Sequence, residues 1–239
     1  MMSKTYAIAD LHGRFDLIEM ALAKIADYAE LPATLVTLGD YVDRGPNSRQ
    51  VIERLMGGLG CQGWRLICLK GNHEDIMWQT CLGMVPDCGW WLTNGGGATL
   101  ISYGQGQGEE VDVAVVPHEH LRWIERLRLM HDDRHRIFVH AGIDPNLSLD
   151  EQDSQVIWKI YDDRAEGGHG QRHIVHGHHQ HANGPILKKN RTNLDTFAWY
   201  TGRLVIGLFD DDMPGGPLEI LAVHGQPIGA IRAARPGIL

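Results

Sequence analysis

Five short segments of this 239-residue chain concentrate the side chains that hold metals or move protons. Asp10-Leu11-His12-Gly13 follows an apolar run. Gly39-Asp40-Tyr41-Val42-Asp43-Arg44-Gly45 follows a second, and Gly71-Asn72-His73-Glu74 a third. Two later runs end in the same manner, in His140-Ala141-Gly142 and in His176-Gly177-His178-His179. Carboxylate and amide oxygen with imidazole nitrogen make the donor set of a mixed site for divalent cations. Imidazole is also the side chain that exchanges protons near neutral pH. Taken singly, each segment reads as a turn, because Asp, Asn and Gly favour turns. Its recurrence after successive strands outweighs that reading. The chain carries 14 histidines. The excess points toward metal chemistry, but the total assigns none of them.

The elements needed to position these segments are legible. Residues 4–9 form a short apolar strand. An amphipathic helix over 15–28 follows, with Leu17, Ile18, Leu22 and Ile25 at helical spacing. Residues 34–38 make a second strand. Pro46 can open a helix running through Arg49, Val51, Ile52 and Leu55, closed by Gly57 and Gly58. Residues 65–69 make a third strand, and Glu74 starts another helix. Three strand-then-helix units imply a largely parallel sheet with helices on its faces. Ligands bind such sheets outside the carboxyl ends of the strands, so the first three segments are expected to meet in one crevice. Residues 93–110 are glycine-rich and read as flexible loop. A helix is expected over 118–129. Strands are expected at 136–139, 173–175, 196–200, 204–209 and 218–223, forming a second sheet packed on the first. Short linkers and no internal repeat make 1–239 one domain, with a frayed end at 236–239.

Hydrophobic residues are 43% and charged residues 22% of the chain, an ordinary globular composition. The net charge of −8 argues against a nucleic-acid partner, which needs a basic footprint. No run of 18 apolar residues exists to cross a membrane. The N-terminus shows no secretory pattern, so a cytoplasmic protein is expected. Cys61, Cys68, Cys81 and Cys88 form no C-x-x-C pair and are expected as reduced, mostly buried thiols.

At these motifs the chain resembles the PPP-type metallophosphoesterases, in particular the small bacterial and phage branch of lambda-type protein phosphatases. The family's G-D-x-H-G, G-D-x-V-D-R-G and G-N-H-E stand here as A-D-L-H-G, G-D-Y-V-D-R-G and G-N-H-E. Order and spacing agree over residues 4–209, with Ala9 in place of the first glycine. The resemblance implies an α/β fold, a calcineurin-like β-sandwich of two mixed sheets flanked by helices. It implies two divalent metal ions, Mn²⁺ first, with Fe or Zn as alternatives. Asp10 and His12 would bind the first ion, Asp40 would bridge both, and Asn72, His140 and His178 would complete the second. His73 would be the general acid, with Asp43 orienting it, and Arg44 and Asn72 would hold the phosphate. A hydroxide shared by the two cations would be the nucleophile, because the cations lower the pKa of bound water.

The last metal ligand is assigned to His178 because the family pattern there is G-H. His176, His179 and His181 are expected to be solvent-exposed or accessory. A second phosphate-binding arginine usually follows the tryptophan matching Trp158, but Ile160 stands there. Lys159 and Arg164 are the candidates, and Arg164 is taken. In the closing segment Phe197 stands where glycine is common, and Tyr200 lines either the site or the core edge. Trp90 and Trp91 are expected as packing residues beside a glycine loop that borders the substrate groove.

The expected activity is a metal-dependent phosphoprotein phosphatase on Ser/Thr esters, with Tyr left open and small phosphomonoesters as test substrates. The alternative with the same site is a dinucleoside polyphosphate or other nucleotide hydrolase. A non-catalytic, metal-stabilised binding protein is the alternative from another class.

Overall fold

The computed structural model describes residues 3–60, 62–162 and 164–229. Among these residues no helix is long and apolar enough to cross a membrane. The frayed end expected at 236–239 lies outside the described residues, as does Cys61.

The chain opens with β1 (Lys4–Ile8), α1 (Phe15–Tyr28), β2 (Ala33–Thr37), α2 (Ser48–Met56), β3 (Trp64–Cys68) and α3 (Asn72–Cys81). Strands β1, β2 and β3 pair in parallel, as strand-helix-strand units require. A helical segment follows, built from α4 (Gly89–Trp91), a π-turn (Leu92–Gly96) and α5 (Gly97–Ser102), and then α6 (His118–Glu125). The second half adds β4 (Met130–Asp132), β5 (Arg136–Val139), β6 (His173–His176), β7 (Ile186–Leu187) and β8 (Arg191–Asn193). It ends with α7 (Ala198–Thr201), β9 (Arg203–Asp210) and β10 (Glu219–His224).

Two mixed five-stranded sheets result, in the orders β10-β9-β1-β2-β3 and β4-β5-β6-β8-β7. Alternation along the strands explains why they pack face to face. In β1 and β2, Tyr6, Ile8 and Leu35 turn to the helices, where α1 and α2 add Leu17, Ile18, Val51 and Ile52. Ala7 and Val36 turn the other way and, with Ala9, Leu38, Phe138, Val175, Val205 and Phe209, fill the space between the sheets. The small Ala7 and Ala9 leave room for Phe138 and Phe209, which meet edge to face at 5.7 Å. The expected sandwich of two mixed sheets flanked by helices is the observed fold.

Several local expectations are corrected. Residues 93–102, expected as part of a flexible glycine loop over 93–110, are helical, with Gly95 at φ 105° absorbing the kink. Glycine's freedom at positive φ lets the helix turn there. Residues 196–200 are not a strand: Phe197 is left-handed and α7 follows it. The 118–129 helix ends at Glu125, and α3 begins at Asn72 rather than Glu74. Strands β4, β7 and β8, each of two or three residues, give too short a pattern to read. The thiols of Cys68 and Cys81 are free and half-buried, with burial pushing them up to about 11 and about 12.

Candidate active site

The loops after β1, β2, β3, β5 and β6 converge at one edge of the sandwich. Six of the predicted residues sit in the left-handed region: Asp10 (φ 42°), His12 (41°), Asp40 (53°), Asp43 (72°), Arg44 (67°) and His178 (67°). Such residues each cost about 1–3 kcal/mol and persist only where neighbours over-determine them. Here the neighbours are visible. The His12 and Gly13 N–H groups donate to the Asp40 and Tyr41 carbonyls at 2.8 and 2.7 Å. Glu74, fully buried, accepts from four backbone N–H groups. Its Oε2 takes Asp40 (2.8 Å) and Gly71 (2.9 Å), and its Oε1 takes Tyr41 (2.7 Å) and Val42 (3.3 Å). Glu74 thus pins the second and third segments together, a role the sequence reading did not give it. The available signal was a Glu three residues into α3, where a capping side chain reaches back to the preceding N–H.

Asp40 lies at the centre. Its Oδ2 is 3.5 Å from His12 Nε2 and 3.9 Å from His73 Nε2, while its Oδ1 is 3.4 Å from His140 Nε2. Burial alone would raise this carboxyl, but His140, His73, His12 and His178 around it hold it well below the usual carboxylate range. The donor atoms of His12, Asp40 and His73 lie within 4.8 Å of one another, and so do those of Asp40, His140 and His178. One carboxylate therefore faces two imidazole clusters.

The ring nitrogens are oriented for ligation. His12 Nδ1–H donates to the Val42 carbonyl at 2.8 Å, and His140 Nδ1–H to the Leu38 carbonyl at 2.9 Å. Each leaves an Nε2 lone pair turned inward, the second-layer arrangement that fixes a ligating tautomer. Around His140 Nε2 stand Asn72 Oδ1 at 3.0 Å and His178 Nδ1 at 3.2 Å. Burial pushes the His178 imidazole down to about 3, so it is neutral and able to ligate. Asp10 receives the His178 N–H on both oxygens, at 3.0 and 2.8 Å. Glycines permit this crowding: a Cβ on Gly177 would run into Asp10 Oδ2, and one on Gly71 into Asp40 Oδ1.

A second network serves His73. Its Nδ1–H donates to Asp43 Oδ2 at 2.6 Å. Burial lowers its affinity for a proton, but Asp40 and Asp43 outweigh burial and raise its pKa. Asp43 is itself held on every side. Thr99 Oγ1–H donates to Oδ1 at 2.7 Å, and Trp91 Nε1–H reaches both oxygens at 3.0 and 3.1 Å. Trp91 and Thr99 come from the helical segment read as packing residues and loop, so this support is tertiary. Arg44 lies over the cluster, with Nη1 at 2.8 Å from His12 Nε2 and Nη2 at 2.9 Å from His73 Nε2. Its backbone N–H donates to the Gly95 carbonyl at 3.2 Å. The Trp199 ring covers its guanidinium at 5.6 Å.

A further carboxylate completes the pocket. Asp195 is buried, and its Oδ1 accepts the Phe197 N–H at 2.8 Å. Its Oδ2 is buried with no hydrogen-bond partner among the described residues. Burial, with Asp40 also pushing upward, lifts this carboxyl to about 7. Burial, then Asp195 and Asp40, lifts Asp10 well above the ordinary range. Buried like charges of this kind need compensation. An orphaned carboxylate oxygen, two inward Nε2 lone pairs and a central Asp40 fit a pair of divalent cations, the dinuclear arrangement of the family described below.

Other predicted residues lie differently. Arg164 is exposed on a turn, its N–H on Asp162 Oδ1 at 2.7 Å. Among the described residues, the hydrogen bonds and ion pairs of the site reach neither it nor Lys159. His176, expected as solvent-exposed or accessory, is 1% exposed: its Nδ1–H donates to the Gly177 carbonyl and its Nε2 faces Arg191. It lies on the face of β6 that carries Ile174, against Tyr161, because alternation turns Val175 alone to the space between the sheets. His179 and His181 are half-buried and pack ring on ring at 4.5 Å. Tyr200 is 53% exposed and stacks on Phe197.

Comparison with known proteins agrees with this geometry. Serine/threonine-protein phosphatase 2 of Escherichia coli (strain K12) is 25% identical over 83% of this chain and 89% of its own. The symmetrical bis(5'-nucleosyl)-tetraphosphatase of Pseudomonas fluorescens (strain Pf0-1) is 29% identical over 61% of this chain and 43% of its own. A crystal structure with the provisional name diadenosine tetraphosphatase superposes with a TM-score of 0.64 at 21% identity, covering 95% of each chain, and shares the fold. The profile of the calcineurin-like phosphoesterases matches residues 3–209. The chain belongs to that family of metallophosphoesterases and is a hydrolase of phosphoric ester bonds.

Proposed function

We propose that this enzyme is a phosphoprotein phosphatase that hydrolyses Ser/Thr phosphomonoesters, with Tyr esters as a second group, at two divalent cations, Mn²⁺ first among them. The observation that carries the reading is Asp40 between two imidazole clusters, with Asp43-supported His73 beside it. Asp10, His12 and Asp40 would hold one cation, and Asp40, Asn72, His140 and His178 the other. When bound, the cations supply the charge that activates an attacking water and neutralises the phosphate.

The chain's own side chains do the rest. Arg44, fixed by the Gly95 carbonyl and by Trp199, offers two planar donors to phosphate oxygens. Asn72 offers its amide at the same edge. His73 gives a proton to the leaving oxygen, and its raised pKa keeps that proton available near neutral pH. Asp43 holds the ring so that Nε2 faces the site. Arg164 is left out of this reading because it is exposed and off the cluster.

The E. coli phosphatase, matched over most of its own length, supports the protein-phosphatase reading. The tetraphosphatase relatives support a second reading, hydrolysis of a dinucleoside polyphosphate at the same site. Side-by-side assays with Mn²⁺ on phosphoserine, phosphothreonine and phosphotyrosine peptides and on diadenosine tetraphosphate separate the two. His73→Asn should lower turnover by about 10²–10⁴-fold while calorimetry still shows Mn²⁺ binding. A larger kcat/KM on diadenosine tetraphosphate than on any peptide would overturn the first reading, and no hydrolysis of any of them would overturn both.

A further inference from the structure

Among the described residues, seven non-glycine residues sit at positive φ, and Phe197 is one of them, at 59°. The other six are predicted metal ligands, the residue that orients the acid and the phosphate-binding arginine, so this aromatic outlier belongs to the same strained set. A bulky side chain is disfavoured in that region, and a residue held there points to a use for its side chain. Its backbone is fixed by the Asp195 carboxylate on its N–H at 2.8 Å. The buried Arg14 fixes the next turn, donating to the Ala198 and Trp199 carbonyls at 3.3 and 3.1 Å.

The aromatic rings carried by this turn form a continuous path away from Arg44. Trp199 lies 5.6 Å over the Arg44 guanidinium. Tyr200 meets Trp199 edge-on at 5.8 Å and stacks nearly parallel on Phe197 at 5.0 Å. Tyr200 is 53% exposed, so the path ends in solvent.

We infer that Phe197, Trp199 and Tyr200 are a platform for an aromatic leaving group, giving the phosphotyrosine ester a ring contact that phosphoserine and phosphothreonine esters lack. The inference rests on the phosphatase reading above. In a tyrosyl phosphate the ring starts at the bridging oxygen, so a phosphate held by Arg44 brings that ring against the adjoining aromatic faces. A Ser or Thr ester puts only one or two alkyl carbons there and gains no ring contact. The Phe197 and Tyr200 rings meet the Trp199 ring and each other, so their side chains bear on the leaving group, which makes them specificity residues.

The test compares phosphotyrosine and phosphothreonine peptides of otherwise identical sequence, with Mn²⁺, in wild type, Phe197→Gly and Tyr200→Ala. Glycine is at ease at φ 59°, so Phe197→Gly keeps the turn. Each variant should lower kcat/KM on the phosphotyrosine peptide about tenfold, the scale of one lost aromatic stacking contact. The phosphothreonine peptide should stay within about twofold, because it never reaches the platform. Equal losses on both peptides would make the residues merely structural and overturn the inference. Loss on diadenosine tetraphosphate with phosphotyrosine spared would assign the rings to a nucleobase and overturn it as well. Should no peptide be hydrolysed, the phosphatase reading fails by itself, and binding then tests the platform. Calorimetry on the Mn²⁺-loaded protein should show phenylphosphonate binding more tightly than methylphosphonate, with the difference lost in Phe197→Gly. Equal affinity in wild type would overturn the platform.

Discussion

Thr99→Val removes one hydroxyl and almost no volume from beneath the proposed acid. Thr99 is fully buried. Its Oγ1–H donates to Asp43 Oδ1 at 2.7 Å while the same oxygen accepts the Asp43 N–H at 2.8 Å. Valine loses both. A hydrogen bond to a charged group is worth about 1.5–3 kcal/mol, and the Asp43 N–H keeps Ser48 Oγ at 3.1 Å, which softens the second loss. The expected destabilisation is about 2–4 kcal/mol, read by urea unfolding of the metal-free protein. The kinetic consequence follows from geometry. Asp43 retains Trp91 on both oxygens, yet Oδ1 loses its shorter donor, which loosens the carboxylate and with it His73 Nδ1 at 2.6 Å. A misaligned acid should cost about tenfold in kcat, part of the 10²–10⁴ that general acid catalysis supplies, with KM unchanged. A double-mutant cycle sharpens this. In a His73→Asn background, Thr99→Val should no longer change kcat, because no acid is left to misalign. A Thr99→Val enzyme with wild-type kcat would refute the reasoning, and so would a tenfold loss that persisted without His73.

Asp195→Asn should stabilise the metal-free protein at high pH and not at low pH. The folded-state carboxyl lies at about 7 against 3.8 for the free group. A raised carboxyl contributes stability that is present below pH 4 and lost as pH climbs through 7, roughly 4 kcal/mol for three units. In EDTA the variant's melting temperature should therefore exceed wild type's more at pH 8.5 than at pH 5, and an equal difference at both would contradict the assignment. Gly177→Ala tests the cradle, since its Cβ would meet Ala9 Cβ at 2.8 Å and press on Asp10 Oδ2. Mn²⁺ affinity by calorimetry should fall at least about tenfold, as for lost ligand positioning, and undiminished affinity would remove Asp10 from the ligand set. Binding of Mn²⁺ to the wild type should strengthen from pH 6 to pH 8, because the raised Asp10 carboxyl must give up its proton to ligate. Pulse titrations giving one affinity across that range would count against it.

The strand ends were legible in the sequence because each pairs a local signal with a topological rule. An apolar run ending in Asp, Asn or His beside Gly is visible residue by residue. Parallel strands then deliver all such ends to one edge. That placed Asp10, His12, Asp40, Asp43, Arg44, Asn72 and His73 in one crevice, and the family resemblance added His140 and His178. The two-sheet sandwich followed from the family resemblance, but the strands expected at 204–209 and 218–223 in the second sheet instead extend the first, as β9 and β10 antiparallel beside β1. The strand expected at 196–200 and the loop expected at 93–102 were misread because the conformations there contradict local propensity. A glycine-rich stretch became helix by packing Trp91 and Thr99 on Asp43. A phenylalanine took a glycine's dihedral because Asp195 fixes the N–H on one side of it and Arg14 the carbonyls on the other.

What the sequence by itself determined was the donor set: which side chains could ligate, which could move a proton, and at which strand ends they stand. Those are properties of residue types and period, both carried along the chain. The tertiary structure alone decided how each donor is oriented and charged. Glu74 gathers four N–H groups from two loops, Asp43 is clasped by residues about fifty positions away, and of His176 and His178, two apart, the first meets Arg191 and the second His140. Orientation and pKa depend on contacts between distant segments and on exclusion of water, and neither exists until the two sheets have closed on each other.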